Sequence, residues 1–188
     1  METVRPPVEL ITVELARVER QVANLLRFAR REELRLESVD LGTLAAATVA
    51  DLRPGLEAAG VAVALDTPAG VVARADREKV RQVLINLIEN ARDALADVDG
   101  RRDLAVAISG ANGAAAIVVW DSGPGVPVDA LPRLFEPFSS LKPQGTGLGL
   151  AIVRRTVDAH GGRITVTPGQ PRGLVVRVDL PRIAGDVA

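Results

Sequence analysis

The sequence predicts an α+β domain, a two-layer α/β sandwich with helices on one face of a largely antiparallel sheet, preceded by a separate helix. Three observations carry this. Short apolar runs alternate with longer segments of helical period along most of the chain. Two of those runs, "LAVAIS" and "AAAIVVW", flank the turn "GANG" and so read as a hairpin, the unit of an antiparallel sheet. A heptad pattern is confined to residues 8–29, where no strand signal occurs.

In that first segment Val8, Ile11, Leu15, Val18, Val22, Leu25 and Ala29 recur at spacings of three and four, with charges between them. The spacing describes a helix of about six turns with a narrow apolar seam. Such a helix either lies on its own domain or comes from a coiled coil or four-helix bundle; the period, nearer 3.5 than 3.6, favours the bundle. "RREELRLES" is a polar connector. The chain therefore divides into a helix and connector at 1–36, a main domain at 37–183 and a short tail at 184–188.

Within the main domain a helix is expected over 41–59 despite Pro54, with Asp40 as its N-cap and Gly60 as its stop. "VAVALD" and "VVAR" follow as short strands around the turn "TPAG". Asp76 caps the next helix, where Val80, Val83, Leu84, Leu87, Ile88, Ala91 and Leu95 trace one buried face. After the hairpin, residues 121–145 form a loop holding five of the chain's 12 prolines, and a connection that long is usually functional. A helix over 148–160 and a last hairpin, "RITVT" with "LVVRVDL", complete the sheet.

Composition narrows the function. The chain has 188 residues, 23 basic against 24 acidic, and a net charge of -1, so no electrostatic footprint for nucleic acid or an anionic membrane exists. Absence of cysteine removes disulfides and thiolate chemistry and suits a reducing cytoplasm. No run of about 20 apolar residues is present to span a bilayer, and the first residues are too charged for a signal peptide. Cytoplasmic residence is the expectation.

Three clusters could carry chemistry. In "NLIENARDAL", Asn86, Asn90 and Asp93 lie along one edge of a helix, beside its buried face, where an amide oxygen could serve Mg²⁺. In "VVWDSGPGVP", Asp121 ends an apolar strand, where its carboxylate could accept from an exocyclic amine, while Gly123 and Gly125 turn the chain away without crowding a flat ring. In "PQGTGLGLAIV", Gly145, Gly147 and Gly149 feed a helix, an arrangement that aims backbone N–H groups at an anion. Phe135 and Phe138 precede that loop, either as a lid that docks over ligand or as core beneath it, and Lys142 is the nearest cation. Trp120, the sole tryptophan, is read as core.

The order "NLIENA", "DSGPGVP", "LFEPF", "GTGLGLAIV" resembles the N, first glycine, phenylalanine and second glycine boxes of sensor histidine kinases, within the gyrase and heat-shock chaperone ATPase superfamily. The resemblance covers about residues 37–181 and implies that superfamily's Bergerat-type ATP-binding fold. "VERQVANLLRFAR" also looks like the second helix of the family's dimerization and phosphoacceptor hairpin, followed by a "VDL" step into the catalytic domain. The family implies Asn90 as the Mg²⁺ ligand and Asp121 as partner of the adenine amino group. It implies Gly123 and Gly125 as the turn under the base, and the loop from Gly145 through Thr146, Gly147 and Leu148 to Gly149 as the path of the phosphates. Asn86, Asp93 and Phe138 fall within the same boxes and are expected to bind the nucleotide. Lys142 resembles a lysine that kinases of the nitrogen-regulatory type carry before this loop, where it could meet the γ-phosphate.

Two departures shape the expected function. Asp93 stands where many members have lysine, and no "HExxxP"-like phosphoacceptor box occurs. The one histidine, His160 in "DAHGGRI", occupies a position that the family uses structurally. We therefore expect a kinase module that binds ATP and Mg²⁺ and transfers phosphate to a histidine helix supplied in trans, with a response regulator downstream and a homodimer as one outcome of the heptad seam. The alternative is a regulatory module that holds nucleotide without transfer. Hydrolytic relatives place a glutamate one helical turn before the metal-binding asparagine; Asn86 stands there, so slow ATP hydrolysis is expected.

Overall fold

The computed structural model describes residues 33–111, 113–139 and 147–182. The heptad segment 8–29, Lys142, Gly145, Thr146 and the tail 184–188 lie outside the described residues.

The domain runs β1 (Glu37–Asp40), α1 (Leu41–Ala58), β2 (Val61–Asp66), β3 (Val72–Ala75), α2 (Arg77–Leu95), β4 (Arg102–Ala111), β5 (Ala114–Asp121), a 3-10 turn (Leu131–Phe135), α3 (Gly149–Ala159), β6 (Arg163–Pro168) and β7 (Leu174–Pro181). Five strands form one sheet in the order β2-β4-β5-β7-β6. Only β2 and β4 are parallel; the hairpins β4–β5 and β6–β7, and the β5–β7 pair between them, are antiparallel. The largely antiparallel, two-layer architecture is thus as expected.

Local chemistry sets the helix ends. Asp40 accepts from Thr43 N at 2.8 Å and from Gly70 N at 2.6 Å, so it caps α1 and pins the turn before β3. Those N–H groups hold its carboxyl below the usual aspartate range. Gly60 takes a φ of +68° and donates to Glu57 O, closing α1 as a left-handed stop. Pro54 sits within α1 on its exposed side. At the other layer edge, Arg102 donates to Ala59 O at 2.9 Å and to Val98 O at 3.1 Å, binding the chain just past both helices to the start of β4.

All seven predicted α2 positions, Val80 through Leu95, are buried. They meet the inward residues Leu104, Val106 and Ile108 of β4, Ile117 and Val119 of β5, and Val176 and Val178 of β7 in a single core. Alternation along each strand explains this, since every second side chain reaches the helical layer.

The structure corrects one reading and supplies two pairings that the sequence left open. "VAVALD" and "VVAR" are not partners: β2 joins the main sheet beside β4, and β3 pairs with β1 in a separate two-stranded sheet. β1 itself, "ESVD", had carried no strand signal beyond its role as a way into the domain. Trp120 is not core; out of phase with Ile117 and Val119, it lies half-buried on the other sheet face and donates from Nε1 to Arg172 O at 3.2 Å.

Candidate functional site

Helix α2 organises the site. Asn90 and Ala94 follow one another on a single face, four residues apart. A Cβ placed on Gly149, the first residue of α3, would stand 3.5 Å from Asn90 Nδ2 and 3.6 Å from its Oδ1. One on Gly123 would stand 3.3 Å from Ala94 O. The start of α3, the Asn90 amide and the turn after β5 therefore line one side of α2.

Asp121 is the last residue of β5 and only 6% exposed. Its Oδ1 accepts from Gly123 N at 2.8 Å. A Cβ on Gly123 would fall 2.6 Å from that same oxygen, so a side chain there would displace the Asp121 carboxylate. Ser122, also buried, exchanges two hydrogen bonds with the Asp103 backbone, its N–H reaching Asp103 O and its hydroxyl accepting from Asp103 N, each at 2.9 Å. Gly125, with a φ of +75°, turns the chain against the Gly173 carbonyl, and Gly173 packs on the Asp121 carbonyl. Ser122 and Gly173 were missed from the sequence. Ser122 had a signal in its place directly after Asp121; Gly173 is brought in by the β5–β7 pairing and had none.

α3 differs from the other two helices at its N-terminus. Aspartates cap α1 and α2, whereas α3 has Leu148 at its N-cap, no side-chain cap and no acid in its first turn. The positive end of this 11-residue helix therefore lies next to an amide side chain. Ahead of it, Phe138 N donates to Gly147 O at 3.0 Å, which joins the phenylalanine and glycine boxes through backbone alone. Both residues are left-handed, with φ of +66° and +63°. A Cβ on Gly147 would meet the Phe138 carbonyl carbon at 2.5 Å, so glycine is obligatory.

The two rings part company. Phe135 is half-buried with the Arg154 guanidinium 5.6 Å from its centroid, while Phe138 is 68% exposed and fills no core. Of the remaining predicted residues, Asn86 is half-buried and accepts from Gln82 Nε2 at 3.2 Å. Asp93 is exposed and pairs with Arg92 at 3.0 Å. Neither side chain is tied to Asp121 or to α3 by these bonds.

His160 is buried at the far end of α3, 7% exposed. Its Nε2 accepts from Asp76 N at 3.0 Å and its Nδ1 lies 2.7 Å from Thr156 O, so both ring nitrogens are engaged. Asp76 in turn accepts from Lys79 N at 3.1 Å and from Arg35 N at 2.9 Å. Burial raises the Asp76 carboxyl, but the N–H groups of Arg35, Lys79 and Glu78 outweigh it and hold the group below its usual range.

The donor set suits a nucleotide with a hard divalent ion. Among the described residues no three His, Cys, Asp or Glu side chains gather as a metal cage. A cation beside Asn90 would take few protein ligands and complete its shell from phosphate and water, as Mg²⁺ commonly does. No helix among the described residues is long and apolar enough to cross a membrane.

Comparison with known proteins agrees with this geometry. Residues 75–184 match the family of histidine kinase-, DNA gyrase B-, and HSP90-like ATPases. The sensor protein CutS of Streptomyces coelicolor is 36% identical over 173 residues, which cover 88% of this chain and 41% of CutS. The chain thus spans less than half of that relative. The catalytic domain of histidine kinase ThkA superposes with a TM-score of 0.71 at 27% identity, covering 79% of this chain and 96% of the other. ThkA in complex with the response regulator protein TrrA superposes with a TM-score of 0.79 at 26% identity, covering 97% of this chain and 52% of that one. With Asn90, Asp121 and the start of α3 on one side of α2, and a family match across most of the domain, the chain belongs to the histidine kinase-, DNA gyrase B- and HSP90-like ATPase family.

Proposed function

We propose that the chain is the ATP-binding catalytic module of a sensor histidine kinase, presenting the γ-phosphate of ATP to a histidine on another helix. The observation that carries this is the N-terminus of α3 set against the Asn90 amide, on the same side of α2 as buried Asp121. In this reading Asp121 accepts from the adenine amino group, and Gly123 and Gly125 carry the backbone beneath the base. The first amides of α3, after Gly147 and Leu148, receive the phosphates, with Gly145 and Thr146 leading into them. Asn90 holds Mg²⁺, which supplies charge neutralisation to the triphosphate. Lys142 meets the γ-phosphate. Asn86 and Asp93 flank the nucleotide, and Phe138 closes over it.

Phosphoryl transfer rests on positioning and electrostatics: the acceptor nitrogen bonds to phosphorus as the bond to the ADP oxygen breaks. His160 is unsuited as that acceptor, because both of its nitrogens are committed inside the domain. The acceptor then comes in trans, and a response regulator takes the phosphoryl group onward. In the same reading residues 1–36 form part of a dimerization hairpin, the module works in the cytoplasm, and two chains pair through the heptad positions, which sedimentation analysis of the intact chain tests.

The decisive experiment uses γ-labelled ATP. The chain alone should stay unlabelled, and a separately produced phosphoacceptor hairpin from a related kinase should gain acid-labile label when added. Stable label on His160 would overturn the assignment, and tight ATP binding without transfer to any acceptor would favour a module that only holds nucleotide.

A further inference from the structure

Helices α2 and α3 pack against each other and are joined by specific contacts at both ends. At one end Gly149 abuts the Asn90 amide. At the other, Asp76 N donates to His160 Nε2. From Asp76 to Asn90 is 14 residues, or about 21 Å along a helix. The second contact is therefore remote from the nucleotide, and it ties the far end of α3 to the start of α2.

We propose that His160 is a positioning residue for nucleotide binding, latching the distal end of the α2–α3 pair and thereby setting the approach of α3's N-terminus to Asn90. This rests on the reading of Asn90 and α3 as the ATP site. The chemistry of the latch is specific. Nδ1 carries the proton toward Thr156 O within the helix, which leaves Nε2 as the acceptor that Asp76 N requires. His160 is only 7% exposed and shares the lining of a small apolar cleft with Val80, Val83, Ile117, Val157, Val178 and Leu180. The Asp76 N–H and its Nε2 acceptor are both buried, and a buried N–H that loses its acceptor is costly. That N–H belongs to the residue whose carboxylate caps α2, so release of the latch disturbs the start of the helix that carries Asn90.

Two conservative substitutions separate the latch from simple filling of space. A glutamine amide oxygen reaches the position of Nε2, whereas an asparagine amide reaches only that of Nδ1. His160→Gln should keep the bond to Asp76 and bind ATP within about threefold of wild type, while His160→Asn should bind about tenfold more weakly, the scale of long-range couplings in proteins. Calorimetric titration of the full chain with Mg²⁺ and a non-hydrolysable ATP analogue reads this. A second measurement needs no variant: His160 is the only histidine, so ¹⁵N-histidine labelling gives one imidazole. Its spectrum should show the Nδ1-protonated tautomer, with signals that shift at saturating ADP. Equal affinities for the two variants, or imidazole signals indifferent to nucleotide, would overturn the latch while leaving the ATP site standing. A wild-type chain that fails to bind nucleotide would overturn the ATP-site reading and the latch with it.

Discussion

Replacing Asp76 by alanine removes three things at once: the cap of α2, the bond from Arg35 N, and a carboxylate that is 8% exposed. Loss of an N-cap costs about 1 kcal/mol. A hydrogen bond to a charged acceptor contributes about 1.5–3 kcal/mol, so losing the Arg35 arm brings the sum to roughly 2.5–4 kcal/mol. For a domain of this size each kcal/mol moves the midpoint by about 2–4 °C, so Asp76→Ala should melt roughly 5–15 °C below wild type by circular dichroism. Asp76→Asn keeps one acceptor oxygen and should fall between the two. Acid gives the complementary measurement. The folded-state carboxyl titrates below the ordinary value of 3.8, so its contribution is present above that pH and disappears as pH falls through the lower folded-state value. Wild type should therefore lose stability below about pH 4, and Asp76→Asn should lose less over the same interval. A melting point for Asp76→Ala within a degree of wild type, or coincident acid profiles for wild type and Asp76→Asn, would refute this role for the Asp76 carboxylate.

Three further outcomes follow from the site. Asp121→Asn and Asn90→Ala should each weaken ATP binding by about tenfold or more with little change in melting temperature, the loss for Asp121→Asn being that of a charge-assisted bond; unchanged calorimetric affinity for both would misplace the pocket. Gly147→Ala forces a left-handed alanine into the Phe138 backbone and should abolish detectable nucleotide binding, whereas Gly60→Ala, equally left-handed but in open space, should cost about 1 kcal/mol of stability and leave affinity alone. ATP hydrolysis without an acceptor should be slow, because Asn86 offers no general base; a turnover near one per second, at about the low end of typical enzymes, would contradict this.

Much of the fold was legible because it is written locally. The seven apolar positions of α2 keep a helical period, and Asp40 and Asp76 stand where a helix needs an acceptor, so face and caps could be read in advance. The β4–β5 hairpin was legible for the same reason, its turn lying between two alternating runs. Pairings that join distant segments were not. β2 finds its parallel partner across α2, and β1 is four residues long with a polar pattern. Trp120 was misread because "AAAIVVW" is apolar on both faces, which hides the parity that decides which side chains point to the helices. In the site, the order of Asn90, Asp121 and the glycines was visible, but the Asn90–Gly149 approach and the hold of Gly173 on Asp121 arise only when strands and helices assemble. Likewise, a lone histidine after a helix carries no sign that both nitrogens are spoken for.

The two oxygens of Asp76 serve different segments of the chain, one the first turn of α2 and the other the backbone at Arg35. A carboxylate divided in this way acts as a rivet between the strip that leads into the domain and the helix bearing Asn90. Twisting or pulling that strip must either carry the start of α2 along or break a charged bond largely shielded from water. Through Arg35, the strip entering the domain is thereby fastened to the start of the helix that carries Asn90.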